Sequence, residues 1–386
     1  MKIAYVTDQV LPQTATDTAQ LMAMVSAFGA AGADVTLVAP HRFGRPDPTL
    51  DELCGYYEVA PTFRARFVPS VYPSVRGVEK AAQGLVGPWT EAALGADVVY
   101  TRNLPIVGPT LLFRRTPVAY ETYRPWPRQK PWSTRLFRRL GSHPGFAGAI
   151  LHSRLAFDSY VESGVMAHKL LMAHNGYDPR QIEPRLSQRE ARAQLGLPLE
   201  GRVVCYAGRI GVHKGIGTIL DMAAELPDVR FVLVGSEGQG PIELRAATMA
   251  NVMMVPWQPF TRTLPYLYAS DVLLLPPTRG PLEKAGNTVL PIKTFLYMAT
   301  GRPILGPANP DVGEILRDGH NARLIEPDVS GVAAQALREM LLAGAQVRER
   351  LGEQARADVA ALTWQSRATR ILTFLDERLA ELGRAR

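Results

Sequence analysis

Val203-Val204-Cys205-Tyr206-Ala207-Gly208-Arg209-Ile210-Gly211-Val212-His213-Lys214-Gly215-Ile216 joins an apolar run to a glycine-broken polar turn and the start of another apolar segment. A short continuous apolar run that ends on glycine reads as a strand buried on both faces. Helical spacing follows from Ile219 to Ala224, and Phe231-Val232-Leu233-Val234 is a second buried-type strand. Strand, loop, helix and strand in short succession predict a parallel pair joined by a right-handed crossover.

The same unit opens the chain. Ile3 to Val6 predicts a strand, Thr18 to Ala31 a helix through Leu21, Met24, Val25 and Phe28, and Val35 to Ala39 the next strand. Further strands are predicted at Arg66–Val68, Asp97–Tyr100, Val118–Tyr120 and Gly148–Leu151. After the opening stretch they continue at Val252–Val255, Val272–Leu275 and Pro303–Leu305. Asn175-Gly176 is a turn signal between the two series, and 386 residues exceed one comfortable core. The expectation is two α/β domains, 1–178 and 179–362. A helical tail from about Val332 ends in a segment, 363–386, that crosses back to the first domain at Trp364.

Glycines let a backbone approach a ligand closely, and a helix N-terminus attracts anions. Arg209 and Lys214 place two cations at the same turn. A planar fork beside a point charge suits a diphosphate. The alternative is a surface loop with solvated cations, and the spacing alone leaves both open.

Five segments in register resolve the choice by resemblance. Gly208-Arg209 followed by Lys214-Gly215 resembles the donor-phosphate motif of retaining family-four glycosyltransferases. His174-Asn175-Gly176-Tyr177-Asp178, Phe231 to Gly235, Ala269 to Pro276 and Tyr297 to Ile304 resemble the other motifs of that family in the same order. The resemblance spans nearly the whole chain and is stronger after residue 170. It implies an α/β fold of two Rossmann-like domains facing across a cleft, the GT-B arrangement. It also implies a glycosyltransferase that moves a sugar from a nucleotide-sugar donor with retention. Arg209 and Lys214, flanked by Gly208, would neutralise the leaving diphosphate without a metal or other cofactor. Trp257 would lie beside the base.

The chain departs from the family at informative places. The two usual glutamates fall at Thr288 and Leu296, and neither is acidic. Asn287-Thr288-Val289-Leu290-Pro291-Ile292-Lys293 resembles a variant in which a lysine and loop amides face the donor. That assigns Asn287, Thr288 and Lys293 to donor binding. Glu283 is the nearby acidic group, with an ordinary loop carboxylate as its alternative. In the first domain Thr14 and Thr16 offer hydroxyls to a phosphate or sugar, while Thr16 or Asp17 caps the following helix. Glu121 keeps a family acidic position, and the resemblance assigns it and Tyr123 to catalysis with Arg209 and Lys214. Tyr123 stands where relatives carry a sugar-contacting histidine, and a phenol hydrogen-bonds but does not titrate like an imidazole near neutral pH.

Lys and Arg total 43 against 36 Asp and Glu, a formal charge of +7. That favours phosphate-bearing or anionic partners. No zinc, helix-turn-helix or aromatic RNA-platform signature accompanies it, which argues against nucleic acid. Two cysteines, Cys54 and Cys205, lack metal spacing and suggest a reducing cytoplasm. The longest apolar runs fall short of a bilayer span. Between Arg124 and Leu140, cations alternate with Trp126, Trp132 and Phe137, after Arg114 and Arg115. Such a mix suits peripheral contact with an anionic membrane, which would make the sugar acceptor lipid-linked, or it suits a phosphorylated acceptor; its plain alternative is a solvated basic face. A non-catalytic nucleotide- or sugar-binding partner protein is the competing function.

Overall fold

The computed structural model describes residues 1–71, 78–113, 116–279, 290–329 and 331–384. They form two compact units. One is Met1–Asn175 with Trp364–Arg386, the other Gly176–Thr363.

The first unit is a seven-stranded parallel sheet. Its strands are β1 (Lys2–Val6), β2 (Asp34–Pro40), β3 (Arg64–Val68), β4 (Val98–Thr101), β5 (Val118–Thr122), β6 (Phe146–Leu151) and β7 (Leu170–Met172). Their spatial order is β3-β2-β1-β4-β5-β6-β7. Every residue of β4, β5 and β6 is buried. Parallel strands carry crossover helices on both faces, which explains the unbroken apolar runs. The helix Thr16–Ala30 leads from β1 to β2. Its N-cap is Ala15 with no side-chain cap, which corrects the expected capping by Thr16 or Asp17. Thr18 instead donates its hydroxyl to the carbonyls of Gln13 and Ala15. The closing helix, Trp364–Arg384, packs against β6 and the helix Thr16–Ala30 of this unit.

The second unit is a six-stranded parallel sheet. Its strands are β8 (Arg202–Ala207), β9 (Val229–Ser236), β10 (Val252–Pro256), β11 (Val272–Leu274), β12 (Ile304–Pro307) and β13 (Arg323–Ile325). Their order is β10-β9-β8-β11-β12-β13. Both sheets therefore reverse direction beside their first strand, at β1/β4 and at β8/β11. In open parallel sheets, ligands sit beyond the carboxyl ends of the strands at that reversal. A buried ion pair fastens the second sheet. Arg192 meets Asp271 at 2.8 Å, and the same carboxylate accepts the Val203 amide. The two strands not expected, β7 and β13, have three residues each.

Candidate functional site

In the second unit the reversal between β8 and β11 gathers the candidate residues. The turn after β8 begins at Gly208, where φ is 143°; a Cβ there would overlap the Lys293 ammonium. It ends at Gly215, with φ 72°, whose absent Cβ would overlap the Thr278 methyl at the end of β11. The turn is thus pressed between the Lys293 side chain and the segment that follows β11, and the positive φ favours glycine at both limits. Gly215 also opens the helix Ile216–Glu225, so its first amides lack a side-chain cap.

Lys293 begins the helix Lys293–Thr300 and reaches back to the end of β8. Its ammonium stands 3.7 Å from the Tyr206 ring centroid, a cation–π distance. The Tyr206 hydroxyl donates to the Arg209 carbonyl at 3.0 Å. Below, the Tyr297 hydroxyl accepts the Ala207 amide at 2.7 Å and holds the last turn of β8. Lys293 keeps some solvent contact, but protein packs densely around its charged end. Burial first, and then the positive charge of Lys214, push its pKa down to about 7. A lysine held in that state is a cation waiting for an anion.

Arg209 and Lys214 are exposed on the same turn. Arg209 contacts Glu237 at 3.3 Å, an exposed pairing that adds little by itself. Trp257 follows β10 at the same edge of the sheet, is exposed, and donates its amide to Ser236 at 2.7 Å. Leu296 packs against the second unit's core instead of facing a ligand. Glu283, Asn287 and Thr288 lie outside the described residues. Among the described residues, no group of three or more His, Cys, Asp or Glu could hold a metal.

The first unit treats its expected residues differently. Glu121 has no exposure at all. Its carboxylate accepts from the Tyr100 hydroxyl at 2.5 Å, His152 Nε2 at 2.7 Å and Arg367 at 3.0 Å. Burial pushes its pKa up, but Arg367 and the His152 bond outweigh that and hold it well below the carboxylate range. Expected as a catalytic group, Glu121 is instead enclosed by these partners, and it anchors the returning helix to β5. His152 is neutral because burial lowers its pKa to about 4. Tyr123 lies half-buried next to it, ring centroids 6.3 Å apart. Thr14 is exposed in the loop after β1, and Thr16 is exposed as the first residue of the helix Thr16–Ala30. His152 and Arg367 carried no signal in the sequence, since their partner Glu121 is distant in the chain.

Residues 187–358 match the family described as glycosyl transferases group 1. The D-inositol 3-phosphate glycosyltransferase of Mycobacterium leprae (strain Br4923) is 29% identical over 215 residues, 53% of this chain and 48% of that protein. Its counterpart from Mycobacterium tuberculosis (strain F11) is 28% identical over 225 residues, 56% and 45% respectively. The match thus spans about half the length of those relatives. Among solved structures, sucrose-phosphate synthase from Thermosynechococcus elongatus superposes with TM-score 0.77 at 17% identity, covering 99% of this chain and 100% of that one. Anabaena HepE in complex with UDP and glucose superposes with TM-score 0.70 at 17% identity, covering 97% and 99%. The fold is the GT-B glycosyltransferase fold, two parallel-sheet α/β domains.

Proposed function

We propose that this chain, a group 1 glycosyl transferase through residues 187–358, transfers a sugar from a nucleotide-sugar donor to an acceptor hydroxyl with retention. One observation carries the reading: Lys293, Lys214 and Arg209 gather around a glycine-bounded turn at the reversal of the second sheet.

Charge grows on the diphosphate as the glycosidic C–O bond breaks. Fixed cations that meet that charge lower the barrier more than they tighten the ground state. The three side chains take the part a divalent metal plays elsewhere, so turnover should survive chelation. The acceptor hydroxyl attacks the anomeric carbon from the face the diphosphate leaves. Its proton passes to the departing phosphate oxygen, and the products are the glycoside and the nucleoside diphosphate. The acceptor is a sugar or a lipid-linked glycan, and the chain works from the cytoplasmic side.

The test is a panel of UDP-, GDP- and ADP-sugars. The reading expects a thermal shift with at least one nucleoside diphosphate and slow hydrolysis of its sugar, unaffected by EDTA. The anomeric configuration of a transfer product, read by NMR, decides retention. A shift without any turnover would support the non-catalytic partner instead. No shift with any nucleotide would overturn both.

A further inference from the structure

The first unit leaves an unusual amount of apolar surface in one place. The helix Val78–Val86 buries Gln83 and Gly84 yet turns Val78 and Leu85 to solvent, and Trp89 in the next turn continues the stripe. Leu85 is 62% exposed and Trp89 53%. Beside them, the helix Leu104–Phe113 ends in Leu112, 75% exposed, and Phe113. The two segments run alongside one another. Gly84 abuts the Pro105 carbonyl, and Thr116 donates to the Ala93 carbonyl at 3.4 Å. Neighbouring exposed apolar side chains of this size normally have a partner.

Charge identifies the partner. From Leu104 to Leu140 the chain carries eight Lys and Arg and a single carboxylate, Glu121, which is buried. The helix Pro131–Ser142 exposes Trp132, Arg135 and Arg139. It follows β5 as Leu104–Phe113 follows β4, and right-handed crossovers place both on one face of the sheet. Leu111 touches the Gly145 turn that ends the first of these.

We propose that this face of the first unit, built from Val78–Trp89, Leu104–Phe113 and Pro131–Ser142, docks on an anionic lipid bilayer. Leu85, Trp89, Leu112 and Phe113 enter the headgroup boundary, and the arginines meet the lipid phosphates. Tryptophan and leucine beside arginine, with Glu79 the one carboxylate of the three segments and Lys80 next to it, is the composition such an interface selects. The inference stands apart from the donor site, since vesicle binding requires no turnover.

The test is co-sedimentation of the full chain with vesicles of phosphatidylcholine alone, or of phosphatidylcholine with phosphatidylglycerol, at about 0.05 M and about 0.5 M salt. The expected result is binding to the anionic vesicles that weakens in high salt. A Leu85→Ser/Trp89→Ser variant should lose about ten-fold in affinity, and so should Arg135→Gln/Arg139→Gln, with the thermal transition unchanged in both. Equal binding to both vesicles, or variants that pellet like the parent, would overturn it. So would a concentration-dependent dimer that the Leu85/Trp89 variant abolishes while no vesicle binds, for then the face belongs to a second copy.

Discussion

The ammonium of Lys293 rests on the face of the Tyr206 ring, 3.7 Å from its centroid, though one opens a helix and the other lies in β8. That contact turns the end of β8 into a cationic cradle. It also ties the site to pH. Without ligand, Lys293 exchanges its proton near pH 7, because burial and Lys214 disfavour the charge. A bound diphosphate favours the charge and raises that value. Affinity is then greatest below pH 7 and declines as pH climbs from the free value towards the bound one. Calorimetric titration of the preferred nucleoside diphosphate at about pH 7.5, in buffers of different ionisation heat, should report proton uptake. Lys293→Met should abolish it. Buffer-independent heats in the parent chain would refute the coupling.

Arg209 and Lys214 are expected to act on the departing charge more than on the resting donor. Arg209→Ala or Lys214→Ala should each reduce kcat by about 100- to 1,000-fold. KM should change far less, and the thermal transition should stay put because both side chains are exposed. Unaltered kcat in both variants would remove these residues from the reaction.

Gly215 makes the opposite prediction, structural before it is catalytic. Its φ of 72° is left-handed, and a Cβ would overlap the Thr278 methyl and approach the Pro276 Cβ. Gly215→Ala should destabilise the second unit by about 2 kcal/mol, from backbone strain with the overlap added. Urea unfolding followed by far-UV dichroism measures it. Stability equal to the parent's would mean that the turn shifts freely and is not pressed against the segment that follows β11.

Much of this fold was legible because its strands are nearly continuous apolar runs. Val203–Ala207, Phe231–Val234 and Val118–Tyr120 could hardly be anything else once glycine and polar turns bound them. Leu170–Met172 and Arg323–Ile325 escaped because three residues carry no period. The turn from Gly208 to Gly215 was legible as chemistry because local sequence builds it. What Lys293 touches was not, since a crossover topology brings it to Tyr206 across a long stretch of chain. The partners of Glu121 were hidden for a related reason. Its place in the sequence matches a family acidic position, and only the fold shows that Tyr100, His152 and Arg367 take its carboxylate.

That occupied carboxylate supports the last prediction. Glu121→Gln would leave the Arg367 guanidinium buried without its countercharge, which costs about 3 kcal/mol. Glu121 and His152 also set an acid limit in the same direction. His152 is neutral when folded, with its pKa lowered to about 4. Unfolded histidine takes up its proton near about pH 6.5, so the stability it lends is complete above that value and is lost as pH falls towards 4. Glu121, held well below its ordinary range, lends stability above the unfolded carboxylate value and loses it as pH drops further. Urea midpoints for the first unit should therefore fall between about pH 6.5 and about pH 4 through His152, and fall further below about pH 4.3 through Glu121. His152→Gln should flatten the first fall, and Glu121→Gln the second. Midpoints that stay level across the range in the parent chain would mean that the buried trio is not what holds the returning helix to the sheet.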